Sequence, residues 1–110
     1  MEKVAIYCLK LEQDRFYVGQ TPKSRLSTRY DEHVYLNGSY WTSRFKPVKM
    51  LWSYCVSPHE ADEAEDMECL KIMLKHGPNS CRGGRFNIRY VVNNRGPRWL
   101  KAPYKDRWSE

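Results

Sequence analysis

Cysteine is sparse and poorly spaced for a metal centre: Cys8, Cys55, Cys69 and Cys81 are the only four, with no C-x-x-C pair among them. Together with His33, His59 and His76 they match no common zinc arrangement, so buried free thiols in a reducing compartment are the expectation. Long apolar runs are missing too. Nowhere do about 18 consecutive apolar residues occur, and the N-terminus lacks a basic flank, an apolar stretch and a small-residue cleavage site. The sequence therefore predicts no membrane association and an intracellular location, in cytoplasm or nucleus.

Negative charge is what the C-terminal part lacks. Up to Cys81, 11 Lys and Arg balance 11 Asp and Glu; from Arg82 to Glu110, 8 basic residues face 2 acidic ones, which accounts for the whole formal charge of +6. Arg82, Arg85, Arg89, Arg95 and Arg98 alternate there with Phe86, Tyr90, Trp99, Tyr104 and Trp108. Guanidinium groups pair with phosphates and aromatic rings stack on bases or sugars, so this stretch predicts contact with nucleic acid. A solvated basic surface whose aromatics pack inward is the alternative.

With 110 residues, 41% of them hydrophobic and 14% aromatic, the chain has room for one modest core and is too apolar for general disorder. Residues 4–9 and 16–19 read as a strand hairpin around a polar break, and residues 48–56 as a third strand. Between them, Leu26, Tyr30 and Val34 recur at helical spacing after Thr21-Pro22, until Asn37-Gly38-Ser39 interrupts. Ser57 and Pro58 suit the start of a second helix with an acidic first half. It should run to about Lys75 and stop at Gly77-Pro78. Residues 86–92 are read as a further strand, and residues 93–110 as a basic aromatic tail beyond a domain of residues 1–92.

The hairpin would bring Tyr7 and Tyr17 together, while Arg29 and His33, four apart on a helix, project from one face. Tyrosine, arginine, histidine and a glutamate from three separate elements form a chemically coherent set for cleaving a phosphodiester. Taken without the downstream residues, the two tyrosines would read as ordinary aromatics on a half-buried hairpin.

Ala5-Ile6-Tyr7, then Tyr17-Val18-Gly19-Gln20-Thr21, then Arg29 to His33, resembles the GIY-YIG nuclease family. The likeness continues through Asn37-Gly38, Trp41-Thr42, Lys46-Pro47-Val48, Glu65-Asp66, Met73 and Gly77 to Cys81-Arg82-Gly83-Gly84, a pattern similar to viral-type members, so a virus- or phage-encoded chain is within its scope. Ala5 departs from the signature's first glycine. The resemblance implies an α/β fold around a small three-stranded antiparallel sheet flanked by helices, with a basic C-terminal extension.

The activity implied is endonucleolytic hydrolysis of nucleic acid, DNA foremost, with one Mg²⁺ or Mn²⁺. Tyr7 would be the general base, Tyr17 its assistant, Arg29 the grip on the scissile phosphate, and His33 a hydrogen-bond partner or proton relay. Glu65 would hold the metal. Glu68 is its rival, but at 100° per residue Glu68 falls between Lys71 and Lys75, on what reads as an ion-paired face, whereas Glu65 falls between Cys69 and Ile72. Arg25 competes with Arg29, and Asn87 stands where members place a late Asn. A non-catalytic nucleic-acid-binding module with the same fold is the alternative function, and a protein-interaction domain a third.

Overall fold

The computed structural model describes residues 1–92 as a mixed four-stranded sheet with helices on both faces. Strands β1 (Val4–Leu11) and β2 (Arg15–Pro22) form the expected antiparallel hairpin, and β3 (Pro47–Val56) pairs antiparallel with the other edge of β1. The fourth strand is the difference from the expected three: β4 (Cys81–Arg82) runs parallel to β2 for two residues, giving the order β3-β1-β2-β4. Residues 86–92, expected as a strand, form none. A short turn of helix covers Gly84–Phe86, and the carbonyls of Ile88 and Tyr90 are turned onto the Arg82 side chain, where they cannot join a ladder.

The three helices follow local signals. α1 (Leu26–Tyr35) begins after Pro22 and a single helical turn. α2 (Tyr40–Arg44) is capped by Ser39, whose Oγ accepts from the Thr42 N–H at 3.1 Å. α3 (Ala61–His76) follows Pro58, carries Asp62 and Glu63 in its first turn and Lys75 and His76 in its last, and ends at Gly77 with φ 111°. Among the described residues, no helix is long and apolar enough to cross a membrane.

Period-two alternation sorts the sheet's side chains into two cores. Ile6, Cys8 and Val18 meet Cys69, Leu70 and Met73 of α3, with Phe86 closing that side. Tyr7, Leu9, Leu11 and Tyr17 point the other way, against Trp41 and Phe45. Cys8, Cys69 and Cys81 are buried free thiols as expected; Cys55 differs, lying exposed on the edge strand β3.

Candidate active site

Strand register brings the two tyrosines together. Tyr7 stands opposite Gly19 and Tyr17 opposite Leu9, so the phenols are diagonal neighbours on one face, with ring centroids 6.3 Å apart. Gly19 leaves the space they occupy: a Cβ there would lie 2.5 Å from the Tyr7 ring and hydroxyl and 2.8 Å from the Tyr17 ring.

α1 delivers the expected helical pair. His33 is fully buried and its Nε2 lies 2.8 Å from the Tyr7 hydroxyl, while its Nδ1 lies 2.9 Å from Thr42 Oγ1. The Thr42 hydroxyl has acceptors of its own in Ser39 Oγ, at 2.9 Å, and Ser39 O, at 3.4 Å. It therefore accepts from His33 Nδ1–H, which leaves Nε2 to accept from the Tyr7 O–H. Burial sets the charge states. It drives the His33 pKa down to about 4, with the nearby Arg29 charge adding to the effect, and pushes the Tyr7 phenol above its ordinary range. Tyr17 is pushed up to about 12, first by burial and then by Glu65. At neutral pH the chain Tyr7, His33, Thr42, Ser39 is a line of uncharged hydrogen bonds.

Arg29 is the cation beside this line. Its Nη1 donates to Glu32 Oε1 at 2.9 Å and Nη2 to Gly38 O at 3.0 Å, which aims the guanidinium, and its charge lowers the pKa of both phenols against the effect of burial. The rival Arg25 is exposed and pairs with Glu32 at 3.3 Å.

Glu65 comes from α3, beyond the open edge of β2 that the short β4 leaves uncovered. Its carboxylate is 7% exposed and accepts from Gln20 Nε2 at 2.7 Å and from the Gly84 N–H at 2.9 Å. Among the described residues it has no ion-pair partner. Burial raises its pKa while the two hydrogen bonds oppose the rise, and Asp66 and Asp62 add to it. Glu68 is otherwise engaged, pairing with Lys71 at 3.6 Å and accepting from the Tyr54 hydroxyl at 2.6 Å.

A divalent cation fits Glu65. A buried carboxylate without a cation is costly, and each of its oxygens spends only one lone pair on a neutral N–H. Mg²⁺ commonly takes one or two carboxylates, with water and substrate phosphate completing its shell. Among the described residues, no three His, Cys, Asp or Glu side chains gather as a ready-made site, so Glu65 would be the principal protein ligand.

The chain matches no family model, no curated protein and no solved structure.

The basic residues divide. Arg82, expected at a nucleic-acid surface, is instead 2% exposed, and all five of its N–H groups are used. Nε donates to Ile88 O at 2.9 Å, Nη1 to Pro78 O and Cys81 O at 2.8 Å each, and Nη2 to Asn79 Oδ1 at 2.9 Å and Tyr90 O at 3.3 Å. Its role is to hold residues 78–90 together. Arg85 is exposed and reaches Asp66 at 3.7 Å, and Arg89 is exposed over the Tyr40 ring. Asn87 is exposed, its N–H closing the turn onto Gly84 O. Arg95, Arg98 and the whole tail lie outside the described residues.

Sequence reasoning missed Gln20, Ser39 and Thr42. Gln20 follows the tyrosine motif directly, and Ser39 stands three residues before Thr42 at cap spacing; those were the available signals.

Proposed function

We propose that this chain is a metal-dependent endonuclease of the GIY-YIG type, hydrolysing phosphodiester bonds in nucleic acid, with DNA as the principal substrate. The observation that supports the reading is the proximity of a hydrogen-bonded Tyr7–His33 pair, the Arg29 cation and the buried Glu65, which has no ion-pair partner among the described residues.

An attacking water must lose a proton as negative charge builds on the phosphorus. Tyr7 is protonated at rest, so it takes the water's proton while passing its own to His33 Nε2. His33 alone is a weak base. The incoming phosphate adds negative charge nearby and raises its proton affinity. Glu32 and Gly38 position the Arg29 guanidinium, which also hydrogen-bonds both phenols, so its charge would meet the phosphate oxygens beside Tyr7 and Tyr17. Glu65 would hold a Mg²⁺ or Mn²⁺ ion, which would supply charge neutralisation for the leaving oxygen. Tyr17 narrows the site beside Tyr7.

Incubation with supercoiled plasmid and Mg²⁺ or Mn²⁺ tests this. Wild type should nick, and Tyr7→Phe and Glu65→Gln should each lose at least a hundredfold in rate. Undiminished nicking in both variants would discard the site. Inertness of the wild type toward plasmid, branched and single-stranded DNA would favour the non-catalytic nucleic-acid-binding module.

A further inference from the structure

A second site lies on the far side of α2. The start of β2, α2 and the chain after β4 border a cavity of about 270 Å³, whose walls among the described residues carry four arginines and no carboxylate. Arg82 is spent on four carbonyls and the Asn79 amide oxygen, but Arg15, Arg44 and Arg89 have no ion-pair partner among the described residues. Rings take the place of anions: Arg15 and Arg44 sit 4.9 and 5.6 Å from the Phe45 centroid, and Arg89 4.8 Å from that of Tyr40. Arg15 Nε is also buried without a hydrogen-bond partner among the described residues.

Three unpaired guanidinium groups around one cavity repel each other, and a buried N–H without an acceptor is a cost that folding ordinarily avoids. An anion in the cavity would relieve the repulsion. Arginines on an ordinary surface need no such partner, because water reaches all of their N–H groups; here it does not reach Arg15 Nε. The aromatic wall specifies more than an anion, since the half-buried Tyr40 ring stands beside the arginines and inorganic phosphate would make no use of it. A planar ring bearing a phosphate uses both features, and a cavity of this size admits one such unit and no duplex.

We infer that this cavity binds a nucleotide, either free or at an unpaired position of a strand, with its phosphate on Arg15, Arg44 and Arg89 and its base against Tyr40. The inference does not depend on hydrolysis. Phe45 packs in the same core as Tyr7 and Tyr17, so the tested variants are at Tyr40, Arg44 and Arg89, and binding is measurable without cleavage.

The test uses the full chain in EDTA. Fluorescein-labelled eight-nucleotide oligothymidylate and an abasic phosphodiester oligomer of equal length are titrated by anisotropy, with thymidine monophosphate and inorganic phosphate as competitors. Oligothymidylate should bind roughly tenfold tighter than the abasic oligomer, because stacking on a protein ring needs a base. Combining Arg44→Gln with Arg89→Gln should weaken it at least tenfold. The control pair Lys49→Gln with Lys71→Gln removes equal charge from β3 and α3, and should change it less than threefold. Tyr40→Ala should lower affinity for oligothymidylate and leave the abasic oligomer unaffected, a pattern that misfolding would not give.

Strong competition by thymidine monophosphate supports the site with a free nucleotide as its ligand. Weak competition, with oligothymidylate still selective over the abasic oligomer, supports it with a strand. Equal binding of the two oligomers, equal losses in the two double variants, equal competition by phosphate and thymidine monophosphate, or no binding at all would overturn the inference.

Discussion

The Tyr7 phenol lies directly over Gly19, in space that any side chain at that position would fill. Gly19→Ala would place a methyl 2.5 Å from the Tyr7 hydroxyl and 2.8 Å from the Tyr17 ring, so both phenols must move. The expected cost is roughly 1–3 kcal/mol of stability. Nicking should fall at least tenfold at temperatures where the variant remains folded, because Tyr7 is pulled from His33 Nε2. Thermal melting beside plasmid nicking checks both; an active, fully stable alanine variant would show that the phenols need no such space.

His33 makes stability depend on pH. Its pKa is about 4 in the folded chain, against about 6.5 unfolded. The unfolded chain therefore takes up the proton first on acidification. This contribution is complete above about pH 6.5, is lost as pH falls toward 4, and amounts to about 3 kcal/mol at most. The raised pKa of Glu65 acts oppositely, since its carboxyl is protonated more readily in the folded state. Comparison with His33→Gln isolates the histidine term: the stability difference between wild type and variant, from urea unfolding, should shrink from pH 7 to pH 4. A constant difference would refute a buried, neutral His33.

Glu65 is expected to weaken the fold that it serves. Its charge at neutral pH is buried beside Asp66 and Asp62, and Glu65→Gln keeps an acceptor for Gln20 or Gly84 while removing that charge. The metal-free variant should be more stable than wild type by about 1 kcal/mol. Millimolar Mn²⁺ should raise the melting temperature of the wild type and leave the variant unchanged. A variant less stable than wild type, with an equal response to Mn²⁺, would remove Glu65 as the ligand.

Arg82→Lys tests a structural arginine. Lysine offers three N–H groups on a single nitrogen where five on a planar fork are used, so several buried carbonyls lose their donor. Roughly 2–4 kcal/mol should be lost, read as a lower urea midpoint. Weakened DNA binding with unchanged stability would return Arg82 to the nucleic-acid surface.

Much of this arrangement was legible because short-range periodicity is enough to determine it. The hairpin fixed the face shared by Tyr7 and Tyr17, the four-residue step paired Arg29 with His33, and helical angles separated a buried Glu65 from an ion-paired Glu68. What stayed hidden depends on long-range partners. Residues 86–92 have strand-like composition, but Arg82 captures their carbonyls from outside the segment. Basic composition made Arg82 look like its neighbours, and only tertiary packing separates it from Arg89. α2 is too short for periodicity to reveal, although its Thr42 holds His33 on one side while Tyr40 and Phe45 line the arginine cavity on the other.

The brevity of β4 bears on the order in which the molecule matures. Cys81–Arg82 closes a chain loop containing most of the domain, and the Gly84 N–H that secures Glu65 lies just past it. Closing so long a loop costs entropy before the pairing returns any contacts, whereas the hairpin and α1 need only nearby segments. A chain folding in this order would bring Tyr7 and His33 together before the Gly84 N–H reaches Glu65.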